Sequence, residues 1–354
     1  MIDVSTYPVE TVAQSRIAEC DFNNLQFGKT FADHMFVVDY KDGQWQQPRV
    51  VPYGNLSLSP ALSSLHYGQA LFEGLKAYKN EAGDILVFRP EANARRLNAS
   101  AVRLCMPELP EEIFMNGMAQ LLTVDRNWIP TQPGCSLYIR PVMFATDDYI
   151  GVKPSDTYSF IIFTSPVGAY YNKPVRVKVE THYTRAAPGG MGFAKAAGNY
   201  AAAMYPSQLA HQQGYDQLLW TDGREHKYFE ESGTMNVIFV MNGKVVTPPT
   251  TDSILKGVTR DSVLQLARDW GYAVEERPVS VEEIIAAAKN GTLEEAFGAG
   301  TAATIAPIAL IHHEGTDYTL PPVEIRKLSN RLHQGMDDIK TGRAADPHGW
   351  IFKI

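Results

Sequence analysis

Lys195 stands alone in the run Gly189-Gly190-Met191-Gly192-Phe193-Ala194-Lys195-Ala196-Ala197-Gly198-Asn199-Tyr200, and the charged residue nearest to it along the chain is Arg185. An ammonium that loses its hydration has its charged form disfavoured. Its pKa then falls from the ordinary ~10.4, and the neutral amine becomes available as a nucleophile. The small neighbours let a bulky group come close to the backbone. Schiff-base formation with a carbonyl compound is the chemistry of such an amine. A surface lysine in a flexible loop is the other reading that this window leaves open.

A second segment, Glu230-Glu231-Ser232-Gly233-Thr234-Met235-Asn236, precedes the strand-like run Val237-Ile238-Phe239-Val240. An aldehyde cofactor with a pyridine ring, such as pyridoxal phosphate, is an electron sink only while its ring nitrogen stays protonated, and an adjacent carboxylate achieves that. Two acids flanking a turn before an edge strand would look the same. Two further segments have the character of phosphate sites. Leu255-Lys256-Gly257-Val258-Thr259-Arg260 leads into Asp261 to Trp270, where Val263, Leu266, Ala267 and Trp270 recur at helical spacing. The backbone amides of Val258 and Thr259 would then sit at the positive end of a helix. Phe297-Gly298-Ala299-Gly300-Thr301-Ala302-Ala303-Thr304 offers another glycine-rich turn with two hydroxyls. It lacks the third glycine and the later acid of a dinucleotide fingerprint.

The elements that must position these residues fall into two groups. With 354 residues, 45% of them hydrophobic, the chain can bury two cores but hardly three. Runs at Met35 to Val38, Ile85 to Phe88, Ser136 to Arg140 and Tyr158 to Thr164 read as strands, and Glu91 to Leu104 and Glu112 to Trp128 as helices. Two prolines, a glycine and an asparagine in Ser165-Pro166-Val167-Gly168-Ala169-Tyr170-Tyr171-Asn172-Lys173-Pro174 mark a connector. Beyond it, helices are expected near Asn199 to His211, Asp261 to Trp270, Val281 to Lys289 and Val323 to Ile339, with Pro206 restricting or kinking the first. The predicted organisation is α/β (α+β): a smaller domain over 1–165, an interdomain loop over 166–174 and a larger domain over 175–354.

A net charge of −7 without a Lys/Arg cluster offers no field for a polyanion, so nucleic acid is not an expected partner. The opening residues have acids where a leader would have bases, and no apolar stretch approaches the ~20 residues of a membrane helix. Cys20, Cys105 and Cys135 are an odd, widely spaced set without CxxC, which suits the cytoplasm and not a disulfide framework. No metal is called for.

Taken in order, Lys-Ala-Ala-Gly-Asn-Tyr, Glu-Glu-Ser-Gly-Thr-Met-Asn, Leu-Lys-Gly-Val-Thr-Arg and Gly-Ala-Gly-Thr-Ala resemble the fold-type IV pyridoxal phosphate enzymes, and among them the branched-chain amino acid aminotransferases. Ser64-Leu65-His66-Tyr67-Gly68, Leu71-Phe72-Glu73-Gly74-Leu75-Lys76-Ala77-Tyr78, Phe88-Arg89-Pro90, Arg95-Arg96-Leu97 and Tyr138-Ile139-Arg140-Pro141-Val142 agree, so matching segments run from about Phe27 to about His348. The resemblance implies pyridoxal phosphate on Lys195 as Schiff-base lysine, Glu231 at the ring nitrogen and Tyr200 at the phenolic oxygen. It implies phosphate contacts from Arg96, Val258, Thr259 and Thr301. Arg95 is the neighbouring alternative to Arg96 and must point elsewhere on the same helix. The implied substrate residues are Thr234 and Ala302 for the α-carboxylate, and Tyr67, Phe72, Tyr138 and Tyr170 for an apolar pocket. Val152 would reach over from a second subunit of a homodimer or higher oligomer, and Arg140 with Tyr138 would receive the distal carboxylate of glutamate.

The expected reaction is transamination of L-leucine, L-isoleucine and L-valine with 2-oxoglutarate. D-amino acid aminotransferases and aminodeoxychorismate lyase share the implied fold, and a catalytically silent scaffold would keep it without the chemistry. Arg140 and the Phe27-Gly28-Lys29-Thr30-Phe31 segment favour the branched-chain class, and the presence of Lys195, Glu231 and Arg96 argues against a silent scaffold. Redox-sensitive relatives carry CxxC just after the Gly-Thr-Ala turn; here Ala303 and Ala306 stand there, so that thiol switch is missing.

Overall fold

The computed structural model describes residues 7–168 and 173–354, so Tyr170 and part of the connector expected at 166–174 lie outside the described residues. The chain divides into two compact units. The first comprises Met1–Tyr170 with Ala194–Gly198 and Asp338–Ile354, and the second Tyr171–Phe193 with Asn199–Asp337.

The first unit is built on an antiparallel sheet. From one edge its strands run Ile351–Lys353, Ile85–Phe88, Leu75–Lys79, Ser136–Ala145, Tyr158–Val167, His34–Lys41 and Gln44–Trp45. Arg49–Pro52 pairs with His34–Lys41, and Ala70–Phe72 with Ser136–Ala145. Strand side chains alternate between faces, and both faces of this sheet are apolar. Phe36 and Val38 enter the main core, while Met35 and Val37 join a smaller cluster with Ile161. The helices Pro90–Arg103 and Glu111–Val124 cover the main core. The second comes so close that a Cβ on Gly117 would lie 2.5 Å from the ring of Phe36. Pro90 opens its helix from the first turn, where its missing N–H costs no intrahelical bond.

In the second unit the sheet order is Phe229–Ser232, Gln217–Thr221, Val175–Val179, Thr304–His313, Leu293–Gly300, Met235–Met241, Lys244–Thr247 and Val274–Glu276, with Thr316–Thr319 beside Thr304–His313. Phe229–Ser232 also pairs with Met235–Met241, so the first six strands close on themselves. The helices are Ala197–Gln212, which continues through Pro206, then Val258–Asp269 and Val281–Asn290. The helix expected from Val323 breaks. Val323–Ile325 is a 3₁₀ turn and the α-helix is Leu328–Lys340. Between them Arg326 turns inward onto the carbonyls of Pro321, Ile308 and Ala296, and the buried Glu295 carboxylate accepts the N–H groups of Lys327, Leu328 and Ser329. A carboxylate at a helix N-terminus meets both its orphan donors and its dipole.

Candidate active site

In the first unit, the strand Ser136–Ala145 carries Tyr138 and Arg140 on one face, two residues apart. Arg140 stacks on two rings, 4.6 Å from the centroid of Phe72 and 5.2 Å from that of Tyr138. Its Nη2 donates to the Tyr138 hydroxyl at 3.1 Å, whereas its buried Nε has no partner. Phe27 packs edge-on against Tyr138 at 4.9 Å. Space there is tight, since a Cβ on Gly74 would meet the Tyr138 hydroxyl at 2.2 Å.

Lys195 belongs to the same unit. Its Nζ lies 5.0 Å from the centroid of Phe72, and its backbone is fixed at both ends. The Lys195 N–H donates to Ser100 Oγ at 2.9 Å, the Lys195 carbonyl accepts the N–H of Phe72 at 3.1 Å, and Leu71 bridges to Ala196. Arg95 turns outward towards Glu111, at 3.7 Å, whereas Arg96 turns in. Arg96 Nε and Nη2 donate to the two oxygens of Glu73 at 2.8 and 2.7 Å. Burial raises the cost of that carboxylate, but Arg96 and then Lys195 outweigh it and hold Glu73 below the usual carboxylate range. Tyr67 is exposed on the short helix Ser63–Tyr67. Val152 is 91% exposed at the tip of the loop that follows Asp148.

In the second unit, neighbouring strands align Glu231, Asn236 and Ala299 side by side. Leu255 is clamped between the first two: its N–H donates to Glu231 Oε1 at 2.8 Å, and its carbonyl accepts from Asn236 Nδ2 at 2.9 Å. Arg185 Nη2 is 3.5 Å from Glu231 Oε1. The clamp leads through Gly257 into the helix Val258–Asp269, whose cap provides no side-chain hydrogen bond. Val258 and Thr259 therefore open that helix with backbone N–H groups directed outward. Only glycine fits before them, because a Cβ on Gly257 would lie 2.0 Å from Asn236 Oδ1. On the strand adjacent to Asn236, Gly300 ends in the turn of Thr301 and Ala302, both half-buried. Thr234 is exposed in the turn after Gly233, and Tyr200 is half-buried on the helix Ala197–Gln212.

The two adjacent acids differ. Both are buried, but Glu231 is bound by a backbone N–H, whereas Glu230 has one oxygen accepting from Ser253 Oγ at 2.5 Å and the other without a partner. Burial pushes the Glu230 carboxyl up to about 7, against the pull of Ser253 and Arg185.

Residues 70–311 match the family model for amino-transferase class IV. The chain belongs to that family. Among its relatives is branched-chain-amino-acid transaminase 1 of Bacillus subtilis, 46% identical over 339 residues, which covers 94% of this chain and 95% of the relative. Among solved structures, the branched-chain aminotransferase of Thermoproteus uzoniensis with norvaline superimposes with a TM-score of 0.76 at 26% identity, over 90% of this chain and 99% of that one. The branched-chain amino acid aminotransferase of Thermobaculum terrenum in its PLP form does so with 0.71 at 25% identity, over 91% and 98%.

For this class IV aminotransferase the sequence reading picked out Phe72, Tyr138, Arg140 and Lys195, which the fold brings together, and Glu231, Val258 and Thr259, which it joins through Leu255. It missed Glu73, Ser100, Asn236 and Ser253. Their part depends on partners 19 to 95 residues away in the chain, and no local pattern carries that information.

Proposed function

We propose that this class IV aminotransferase moves the amino group of L-leucine, L-isoleucine and L-valine to 2-oxoglutarate, giving branched-chain 2-oxo acids and L-glutamate, with pyridoxal phosphate held by Lys195. One observation carries the reading of substrates: the Arg140 guanidinium, with a partnerless buried Nε, is packed against the rings of Phe72 and Tyr138 near Lys195. A pocket that takes leucine and glutamate in turn needs apolar walls and one cation for the distal carboxylate, because an unpaired buried charge costs several kcal/mol.

The residues present fit the cofactor. Glu231, buried and held by the N–H of Leu255, is suited to keep a proton on a pyridine nitrogen, and the glycine-opened helix start at Val258 and Thr259 is suited to a phosphate. We assign Arg96 and Thr301 to the same phosphate and Tyr200 to the phenolic oxygen. Arg96 would serve by the part of its fork that Glu73 does not engage. When bound, the protonated ring supplies an electron sink for the α-carbon. Lys195 Nζ would take the substrate's α-proton and return it to the carbon that was the cofactor's aldehyde, two atoms further on, as general base and then acid. Thr234 and the amide of Ala302 orient the α-carboxylate, and Tyr67 closes the apolar side; the same role for Tyr170 falls outside the described residues.

We further propose that the active form is a homodimer or larger, completed by Val152. Tyr149, Ile150 and Val152 are exposed on a loop braced at its base, where Asp147 accepts from Asp156, Thr157 and Lys153. An exposed apolar tip of this kind is suited to contact another subunit. Sedimentation should find no active monomer at assay concentration. The cytoplasm is the proposed compartment: Cys20, Cys105 and Cys135 are all free thiols, and no helix among the described residues is long and apolar enough to cross a membrane.

The test is an assay with leucine, D-alanine and an aminodeoxychorismate precursor, followed by borohydride reduction and peptide mapping. Turnover with leucine and a pyridoxyl label on Lys195 are expected. Preference for either other substrate, or a label on another lysine, overturns the reading.

A further inference from the structure

Five residues of the first unit form a closed hydrogen-bonded ring. The N–H of Phe72 donates to the Lys195 carbonyl at 3.1 Å, and the N–H of Lys195 donates to Ser100 Oγ at 2.9 Å. Ser100 Oγ in turn donates to the carbonyl of Arg96 at 3.0 Å, one helical turn back. The Arg96 fork then grips Glu73 at 2.8 and 2.7 Å, and Glu73 is bonded in the chain to Phe72. Glu73 is fully buried, and Asn93 Nδ2 at 2.7 Å and the Gly74 N–H at 3.3 Å complete its hydrogen bonds. Ser100 is buried as well and uses its hydroxyl both as donor and as acceptor.

We propose that Glu73 and Ser100 are positioning residues of the transamination site, coupling the amine of Lys195 to the guanidinium of Arg96. Ser100 fixes where the Lys195 backbone lies relative to the Arg96 helix. Glu73 fixes the direction of the Arg96 fork and supplies the negative charge that both cations share. Lys195 is among the charges that hold the Glu73 carboxyl down. Arg140 and Tyr138 are further polar groups packed here within this unit, and Arg140 shares the ring of Phe72 with Lys195. A point anchor at the phosphate end and a nucleophile at the carbonyl end of one small molecule must keep a fixed spacing, because a displacement of about 1 Å costs on the order of 10²-fold in rate. The ring is a device for that spacing.

The inference rests on Lys195 as the cofactor-bearing amine, so its test begins without cofactor. In the apoprotein, competitive acetylation across pH, read on the Lys195 peptide by mass spectrometry, gives the titration of that amine. Glu73→Gln removes the carboxylate and leaves Arg96 uncompensated, so the profile should move to lower pH. Glu73→Gln with Arg96→Met removes both charges and should bring it back towards wild type. Arg96→Met alone should move it up, which reads the same coupling if Glu73→Gln does not fold. Ser100→Ala keeps every charge: the profile should stay, while retention of pyridoxal phosphate on dialysis falls up to about tenfold. An unmoved profile in both Glu73→Gln and Arg96→Met, or wild-type retention in Ser100→Ala, overturns the proposal. A cofactor label on another lysine sinks the functional reading instead and leaves the apoprotein profiles as they are.

Discussion

Replacing Arg140 with methionine should separate the two half-reactions. Methionine keeps an unbranched apolar stem against Phe72 and Tyr138, so the walls that leucine would meet persist, and the buried partnerless Nε disappears. The distal carboxylate of 2-oxoglutarate or glutamate loses its only proposed cation. Breaking a buried pair by removing one member costs ~3 kcal/mol or more, which is roughly 10²-fold in kcat/KM. Leucine carries no charge at that end and should change by less than about threefold, a few tenths of a kcal/mol. The Tyr138 hydroxyl loses one donor, at 3.1 Å, and that loss is common to both substrates. The assay is single-turnover absorbance with leucine and with glutamate separately, beside steady-state kinetics with 2-oxoglutarate varied. Equal losses for both substrates would refute the reasoning and would mean that Arg140 holds the α-carboxylate or the fold.

Glu231→Gln should retain cofactor but lose ~10²–10³ in the half-reaction, the size of a preorganised electrostatic contact; a wild-type rate there with a dead Glu230→Gln would reverse the two acids. Glu230 has a folded pKa of about 7 against an ordinary 4.5, so the folded chain binds the extra proton between those values. Stability should therefore fall as pH rises from about 4.5 to about 7, and Glu230→Gln, unable to ionise, should flatten that part of a urea-midpoint profile. An unchanged slope in the variant would count against a carboxyl kept neutral by burial. Gly257→Ala puts a Cβ 2.0 Å from Asn236 Oδ1 and should cost about 1–3 kcal/mol in chemical denaturation; a stability equal to wild type would mean that the Leu255 clamp yields without cost.

What the sequence made legible follows the range of the physics involved. Helix and strand periodicity is local. Pro90–Arg103 and Val258–Asp269 accordingly lie within a few residues of expectation, the strand Ser136–Ala145 starts where expected and runs on past Arg140, and the glycine-to-helix junction at Gly257 sits where its spacing placed it. The resemblance pointed to Arg96, and because helical neighbours differ by about 100° in direction Arg95 had to face elsewhere. The break at Arg326 was not legible, because its cause is Glu295, whose carboxylate takes N–H groups from more than thirty positions later. Nor was the Glu73 grip on Arg96, twenty-three residues apart. Composition also hid which unit holds the Lys195 segment: Ala194–Gly198 is flanked on both sides by the second unit, yet a bridge from Leu71 to Ala196 draws it to the first.

The strand Ile351–Lys353 lies against Ile85–Phe88, and Ala194–Gly198 against Leu71. The first unit is therefore threaded from three stretches of chain, the last of them made when all of the second unit is already in place. During synthesis its sheet waits with the Ile85–Phe88 edge uncovered and with the position of Lys195 unfilled, and nascent chains with open strand edges are those that chaperones must guard. The second unit, whose six strands close on one another, has the whole of its sheet between residues 175 and 319 and can finish first. The order in which the units can be completed thus runs opposite to the order in which they begin: the unit that begins first receives its last stretch of chain last, and the Lys195 segment is added midway.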